Sequence, residues 1–271
     1  VPGLTVLTQT SSVVVEIGGQ PIRLHCGDPL FIRQIEDRYA GYVNSTATAH
    51  FDFEIELAPP GTRSRDEKVR VTCEAGRWLM QRGDFCAEWN PAAARGRIRQ
   101  TLNPYSLDSV LRIVHTLLLA REGGFLVHAS SAIRNGRAFL FSGVSGAGKT
   151  TIARLAPPDA ALLTDEISYV TQNDGRHFAV GTPFFGELAR VGENLQAPVE
   201  ALYLLAKGPE NKIEPVEYAD AARSLLGNIL FFARDPEFVN LVFEAALDFV
   251  ARVPVRRLTF VPDTSVWELI V

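Results

Sequence analysis

One stretch of this sequence carries every fixed position of a phosphate-binding loop. Gly143-Val144-Ser145-Gly146-Ala147-Gly148-Lys149-Thr150 fits G-x-x-x-x-G-K-[ST]. With glycine at about 7% of residues, chance gives that pattern in roughly one chain of this length in a hundred. Glycines let the backbone curl so that successive N–H groups point at the phosphates of a nucleotide. The partial positive charge of a helix N-terminus favours the same anions. Lys149 would reach the β- and γ-phosphates, the Thr150 hydroxyl would hold Mg²⁺, and Thr151 completes the phosphate-facing set. A nucleoside triphosphate is the expected ligand.

The flanking residues supply the elements that such a loop needs. Arg137–Ser142 reads as the strand entering it and Thr151–Leu155 as the helix leaving it. Phe125–Ile133 reads as a further strand, and Asn135-Gly136 between the two is a strong two-residue hairpin signal. The strand feeding the loop is therefore expected to pair antiparallel with its predecessor. Ordinary nucleotide-binding α/β domains place the loop after a first strand near the N-terminus and cross over to parallel neighbours. The hairpin marks a narrower class. Beyond the loop, strands are expected at Ala161–Leu163, Ile167–Thr171, His177–Gly181, Val199–Ala206 and Val255–Val261, with amphipathic helices over Tyr218–Phe232 and Pro236–Arg252.

Phosphoryl transfer also needs a carboxylate for the metal and a group that prepares the acceptor. Asp165-Glu166, at the end of a short buried strand, sits where that pair is expected. Asp165 reads as the metal or water-shell ligand and Glu166 as the general base, although either could take either part. With His128 on the strand before the hairpin, the phosphate loop and Leu163-Thr164-Asp165-Glu166, the chain resembles the C-terminal kinase domain of HPr kinase/phosphorylase. That family shares its nucleotide-binding core with ATP-dependent phosphoenolpyruvate carboxykinases. The resemblance covers roughly residues 125–190, and by arrangement extends to 271. It implies a P-loop kinase core with ATP and Mg²⁺, and a hydroxyl acceptor such as the serine of a peptide or protein. It also implies a phosphate or acceptor contact for His128, which by itself reads as a hydrogen-bonded core histidine. The family's second aspartate is Glu166 here. Its glycine-containing signature beyond the acidic pair is replaced by Gly181-Thr182-Pro183-Phe184-Phe185-Gly186-Glu187, so phosphorylase activity and HPr itself are not expected. That segment reads equally as a loop closing over the acceptor and as a packed connector. Arg190 is a lesser candidate for neutralising phosphate. Asn211-Lys212-Ile213-Glu214 looks like the guanine-reading motif of GTPases, but reads as a loop. A small-molecule kinase on the same core is the near alternative, and a nucleotide-driven regulatory switch the more distant one.

The chain changes character near residue 100. Residues 1–103 read as a β-rich module of unknown role and 104–271 as the P-loop domain, an α/β fold within an α+β chain. In the module, short strands are expected at Leu4–Leu7, Ser12–Ile17, Ile22–Cys26, His50–Leu57, Val69–Cys73 and Arg77–Met80, with a helix over Asp28–Arg38 and a solvated hairpin tip at Arg63–Lys68. Ser106 is expected to cap the helix that opens the second part, with Leu107, Val110, Leu111, Val114, Leu117 and Leu118 on one apolar face. A formal charge of −4 without a basic run argues against nucleic acid, and no apolar stretch is long enough for a membrane span. Cys26, Cys73 and Cys86 lack C-x-x-C spacing, and three thiols beside a triphosphate site suggest the cytoplasm. Neither the acceptor nor the oligomeric state is legible.

Overall fold

The computed structural model describes residues 11–59 and 67–270. The expected strand Leu4–Leu7 and residues 63–66 of the charge run lie outside the described residues. The chain divides into two compact units between Leu111 and Arg112. Each is built on a mixed sheet, which makes the fold mixed α/β. No helix among the described residues is long and apolar enough to cross a membrane.

In the first unit β1 (Ser11–Ile17) and β2 (Gln20–Cys26) form a hairpin. Helix α1 (Pro29–Arg38) starts on Asp28, whose side chain accepts the N–H groups of Leu30 and Phe31, and it buries Phe31, Ile32 and Ile35. β3 (Phe51–Leu57), β4 (Arg70–Glu74), β5 (Arg77–Arg82), β6 (Phe85–Asn90) and β7 (Arg95–Gln100) complete a seven-stranded sheet, ordered β1-β2-β3-β7-β6-β5-β4. β3 lies parallel to both β2 and β7, and the other pairs are antiparallel. The sequence reading missed β6 and β7. In β7 only Ile98 and Gln100 are buried, while Arg95, Arg97 and Arg99 stand on the open face opposite Asp52, Glu54 and Glu56. Cross-strand charge supports that face where apolar alternation was expected.

Helix α2 (Pro104–Arg121) begins earlier than expected. Asn103, not Ser106, provides the cap, its Oδ1 accepting the Tyr105 N–H at 3.2 Å, while the Ser106 hydroxyl donates to Asp84 at 2.7 Å. The single apolar face is also corrected. Asp108, His115 and Thr116 are buried with the leucines and valines, and Leu118 is only half-buried. Asp108 can be buried because Arg38 pairs with it and the Tyr39 hydroxyl donates to it at 2.6 Å.

The second unit opens on β8 (Phe125–Arg134) and β9 (Arg137–Ser142), joined by Asn135-Gly136 with φ of 52° and 73°. This is the antiparallel hairpin read from the sequence. After the loop come α3 (Lys149–Arg154), β10 (Ala161–Thr164), β11 (Ile167–Asn173), β12 (Arg176–Val180) and β13 (Gln196–Lys207). The chain ends with β14 (Lys212–Pro215), α4 (Tyr218–Leu226), β15 (Ile229–Leu230), α5 (Pro236–Arg252), β16 (Val255–Phe260) and a 3-10 turn over Thr264–Glu268. β9 runs parallel to β13, and β13 parallel to β16. Two expectations fail here. The helix expected to Phe232 stops at Leu226, because Gly227 closes it and Ile229–Leu230 pairs with β8. Lys212, Ile213 and Glu214, read as part of a loop, lie in the strand beside β16.

Two apolar clusters hold this unit together. Phe125, Leu140, Leu202 and Phe249 lie in one, under α4 and α5. Phe139, Phe141, Tyr203, Phe260 and Trp267 lie in the other. The Trp267 indole N–H donates to the Ile152 carbonyl at 3.1 Å, tying the C-terminal turn to α3.

Candidate functional site

Strand β8 organises the site because it changes partners along its length. Thr164 of β10 pairs with Ser131 and Ile167 of β11 pairs with His128, in one continuous register. The two residues between them, Asp165 and Glu166, leave the ladder opposite Ala129 and Ser130. On the other side of β8, Ala129 pairs with Ser142, the last residue before the glycine loop. The acidic pair and the loop therefore flank the same two residues of β8. The Thr164 hydroxyl shapes the break, accepting the N–H groups of Glu166 and Ile167 at 3.2 Å each.

The loop itself has the form its glycines require. Gly148 caps α3 at φ 112°, and a Cβ there would lie 2.7 Å from the Phe260 ring, so this position takes glycine alone. Lys149 is only 8% exposed, and its ammonium folds back to donate to the carbonyls of Gly143 at 2.9 Å and Val144 at 3.4 Å. Burial lowers its pKa, and Glu166 partly opposes that shift. The Ser130 hydroxyl donates to the Lys149 carbonyl at 3.1 Å, fixing the start of α3 to β8.

Asp165 is 2% exposed, and both its oxygens are engaged. Oδ1 accepts the Gly186 N–H at 2.8 Å and Oδ2 the Leu188 N–H at 2.9 Å. Glu166 is half-buried and stands 3.7 Å from Arg112 of α2, whose guanidinium also lies over the Phe184 ring at 5.0 Å. His128 is half-buried. Burial first, and then the positive charges of Lys149 and Arg112, lower its pKa, which favours the neutral ring.

The segment after β12 bears out the reading as a packed connector over its first half. Through Phe184 it is a buried connector. The Thr182 hydroxyl donates to the Ile167 carbonyl at 3.0 Å, and that of Thr164 to the Phe184 carbonyl at 3.1 Å. It then turns back toward the loop at Gly186-Glu187. A Cβ on Gly186 would lie 3.1 Å from that of Glu166 and 3.2 Å from Asp165 Oδ2, so glycine permits the close approach.

These elements enclose a cavity of about 320 Å³. It brings together His128, Lys149, Thr150, Thr151, Asp165 and Glu166 with Ser145, Gly146 and Gly148, and adds Gly186 and Glu187. Gly143, Val144 and Ala147 shape the loop without lining the cavity, and Val144 is 77% exposed. Arg190 is not among the lining residues and stands exposed, 3.7 Å from Glu193. Asn211 is committed to structure. Its amide donates to Ser265 and accepts the Val261 N–H, both at 2.8 Å. Sequence reasoning missed Arg112, for which the one signal was a charge within an apolar helix, and read Glu187 only as the end of the 181–187 segment. A larger cavity of about 500 Å³ in the first unit, beside Lys68, Arg70 and Arg82, carries no phosphate loop.

Among the described residues no group of three or more His, Cys, Asp or Glu is placed to hold a metal. Thr150 with Asp165 or Glu166 supplies two oxygen ligands in one cavity, which fits Mg²⁺ completed by phosphate and water oxygens.

The family model of SynChlorMet cassette protein ScmC matches residues 97–270, well over half of the sequence and including every lining residue of this cavity. The chain belongs to the ScmC family. Among solved structures, the Hpr(Ser) kinase/phosphatase from Coxiella burnetii aligns with this ScmC-family chain at 17% identity, over 45% of this chain and 87% of that one, with a TM-score of 0.24. A score that low carries no argument about function. A comparison with curated proteins finds no match.

Proposed function

We propose that this chain is an ATP- and Mg²⁺-dependent cytoplasmic kinase that transfers the γ-phosphate to the hydroxyl of a peptide or protein serine. The observation that carries the reading is the meeting of a complete phosphate loop with two carboxylates in one cavity. A nucleotide switch needs only a positioned water, whereas Asp165 and Glu166 together can serve both a metal and an acceptor. Lys149 exchanges the Gly143 and Val144 carbonyls for phosphate oxygens. Glu166 accepts the acceptor proton as the hydroxyl oxygen bonds to the γ-phosphorus and the bond to the ADP oxygen breaks. Glu166 suits that part because its half-buried carboxylate lines the cavity, whereas both oxygens of Asp165 are held by backbone N–H groups. Neutral His128 can offer a hydrogen bond to phosphate or acceptor. Bound Mg²⁺ would neutralise charge developing on the phosphates.

The test is incubation with γ-labelled ATP and Mg²⁺ in a lysate of the source organism, followed by separation of label by size. Label should appear on a peptide or protein and vanish with Lys149→Ala. Glu166→Gln should lower transfer by about 10²- to 10⁴-fold, the usual contribution of a general base, with nucleotide affinity retained. Label found only as inorganic phosphate would replace this reading with the switch, and unchanged turnover in Glu166→Gln would remove Glu166 from the mechanism.

A further inference from the structure

Three carboxylates line the cavity, and two of them are claimed. Asp165 holds the Gly186 and Leu188 N–H groups, and Glu166 stands beside Arg112. The third, Glu187, is exposed, and among the described residues its carboxylate has no ion-pair or hydrogen-bond partner. Its backbone is nonetheless fixed, because the residues before and after it are the two bonded to Asp165. An unpaired anion held beside a phosphate loop repels the nucleotide's phosphates. It becomes favourable when the second substrate brings a cation. Because the turn is already ordered, little loop entropy opposes that contact.

We propose that Glu187 is the acceptor-selecting residue of this site, and that the acceptor is a peptide with lysine or arginine close to the phosphorylated serine. This rests on the kinase reading above and goes beyond it by naming the acceptor's charge. Arg112 and Lys149 cannot provide this selection because they are cations, and Glu166 already stands beside Arg112.

The experiment uses the full chain, γ-labelled ATP and synthetic serine peptides that differ only in carrying arginine, alanine or glutamate at each flanking position. Arginine at one or two positions should raise labelling about fivefold over alanine, the effect of an exposed ion pair of about 1 kcal/mol. Glu187→Ala should erase that preference and Glu187→Arg should turn it toward glutamate. The Mg²⁺ concentration for half-maximal labelling should be the same in wild type and Glu187→Ala. Wild-type indifference to charge at every position would overturn the proposal, as would an unaltered preference in both variants. A raised Mg²⁺ requirement in Glu187→Ala would make Glu187 a metal ligand instead. If no peptide is labelled and phosphate passes only to water, the kinase reading falls and takes this inference with it.

Discussion

Replacing Asp165 by asparagine should free the 186–188 turn while leaving the phosphate loop in place. The carboxylate is 2% exposed and accepts two N–H groups, from Gly186 at 2.8 Å and Leu188 at 2.9 Å. Asparagine keeps one carbonyl oxygen and turns an NH₂ toward the other donor, so one bond is lost and two donors face each other. A hydrogen bond to a charged acceptor contributes about 1.5–3 kcal/mol, which corresponds to roughly 10- to 150-fold faster opening-limited exchange. Amide hydrogen exchange followed by NMR reads this directly at Gly186 and Leu188. Thr182, whose N–H donates to the Leu163 carbonyl at 3.1 Å, serves as the internal control and should keep its protection. Exchange at Gly186 and Leu188 within about twofold of wild type would refute the anchoring argument. Adding Mg²⁺ and ATP to the wild type tests the same residue without any acceptor. Each carboxylate oxygen keeps a further lone pair, so the two amides should stay protected. Loss of their protection on loading would mean that metal binding takes Asp165 away from the turn.

Gly148→Ala should destabilise the second unit by about 2–5 kcal/mol, summing the left-handed backbone strain and the clash with Phe260, seen as a lower denaturation midpoint. An unchanged midpoint would show that the loop relaxes without loss. His115 is fully buried, its Nδ1 3.3 Å from the Tyr169 hydroxyl, and burial pushes its pKa down to about 3. Between pH 6.5 and 3 the unfolded chain binds a proton there that the folded chain does not. This contribution is complete above pH 6.5 and declines as pH falls, by up to about 1.4 kcal/mol per pH unit. Comparing chemical denaturation of wild type and His115→Phe from pH 7 to 4 isolates it, and equal slopes would rule it out.

The elements that proved legible are those fixed by local chemistry. The Asn135-Gly136 turn, the helix Pro236–Arg252 and the helix that follows Asp28 come from dihedral preferences and from a periodicity that neighbours in sequence impose on one another. β7 escaped because its exposed arginines are supported by carboxylates of β3, some forty residues away in sequence. The Tyr218–Leu226 helix was read too long because the pairing of Ile229–Leu230 with β8 is a non-local contact. Buried Asp108 and His115 on α2 broke the expected single face for the same reason, since Tyr39, Arg38 and Tyr169 answer them from other elements.

The parts of the site are local in the chain: a glycine-rich loop that carries its own lysine, and an acidic pair on a strand end. Such motifs are legible because their chemistry is contiguous. The tertiary structure decided what each part faces. The register of β10 and β11 on β8 sets the acidic pair beside the loop, and α2 brings Arg112 to Glu166. The returning turn takes both oxygens of Asp165 and leaves Glu187 in the cavity. Hydrogen bonds and ion pairs between residues tens of positions apart form only once the sheet has fixed their distance. No spacing within the sequence encodes that distance.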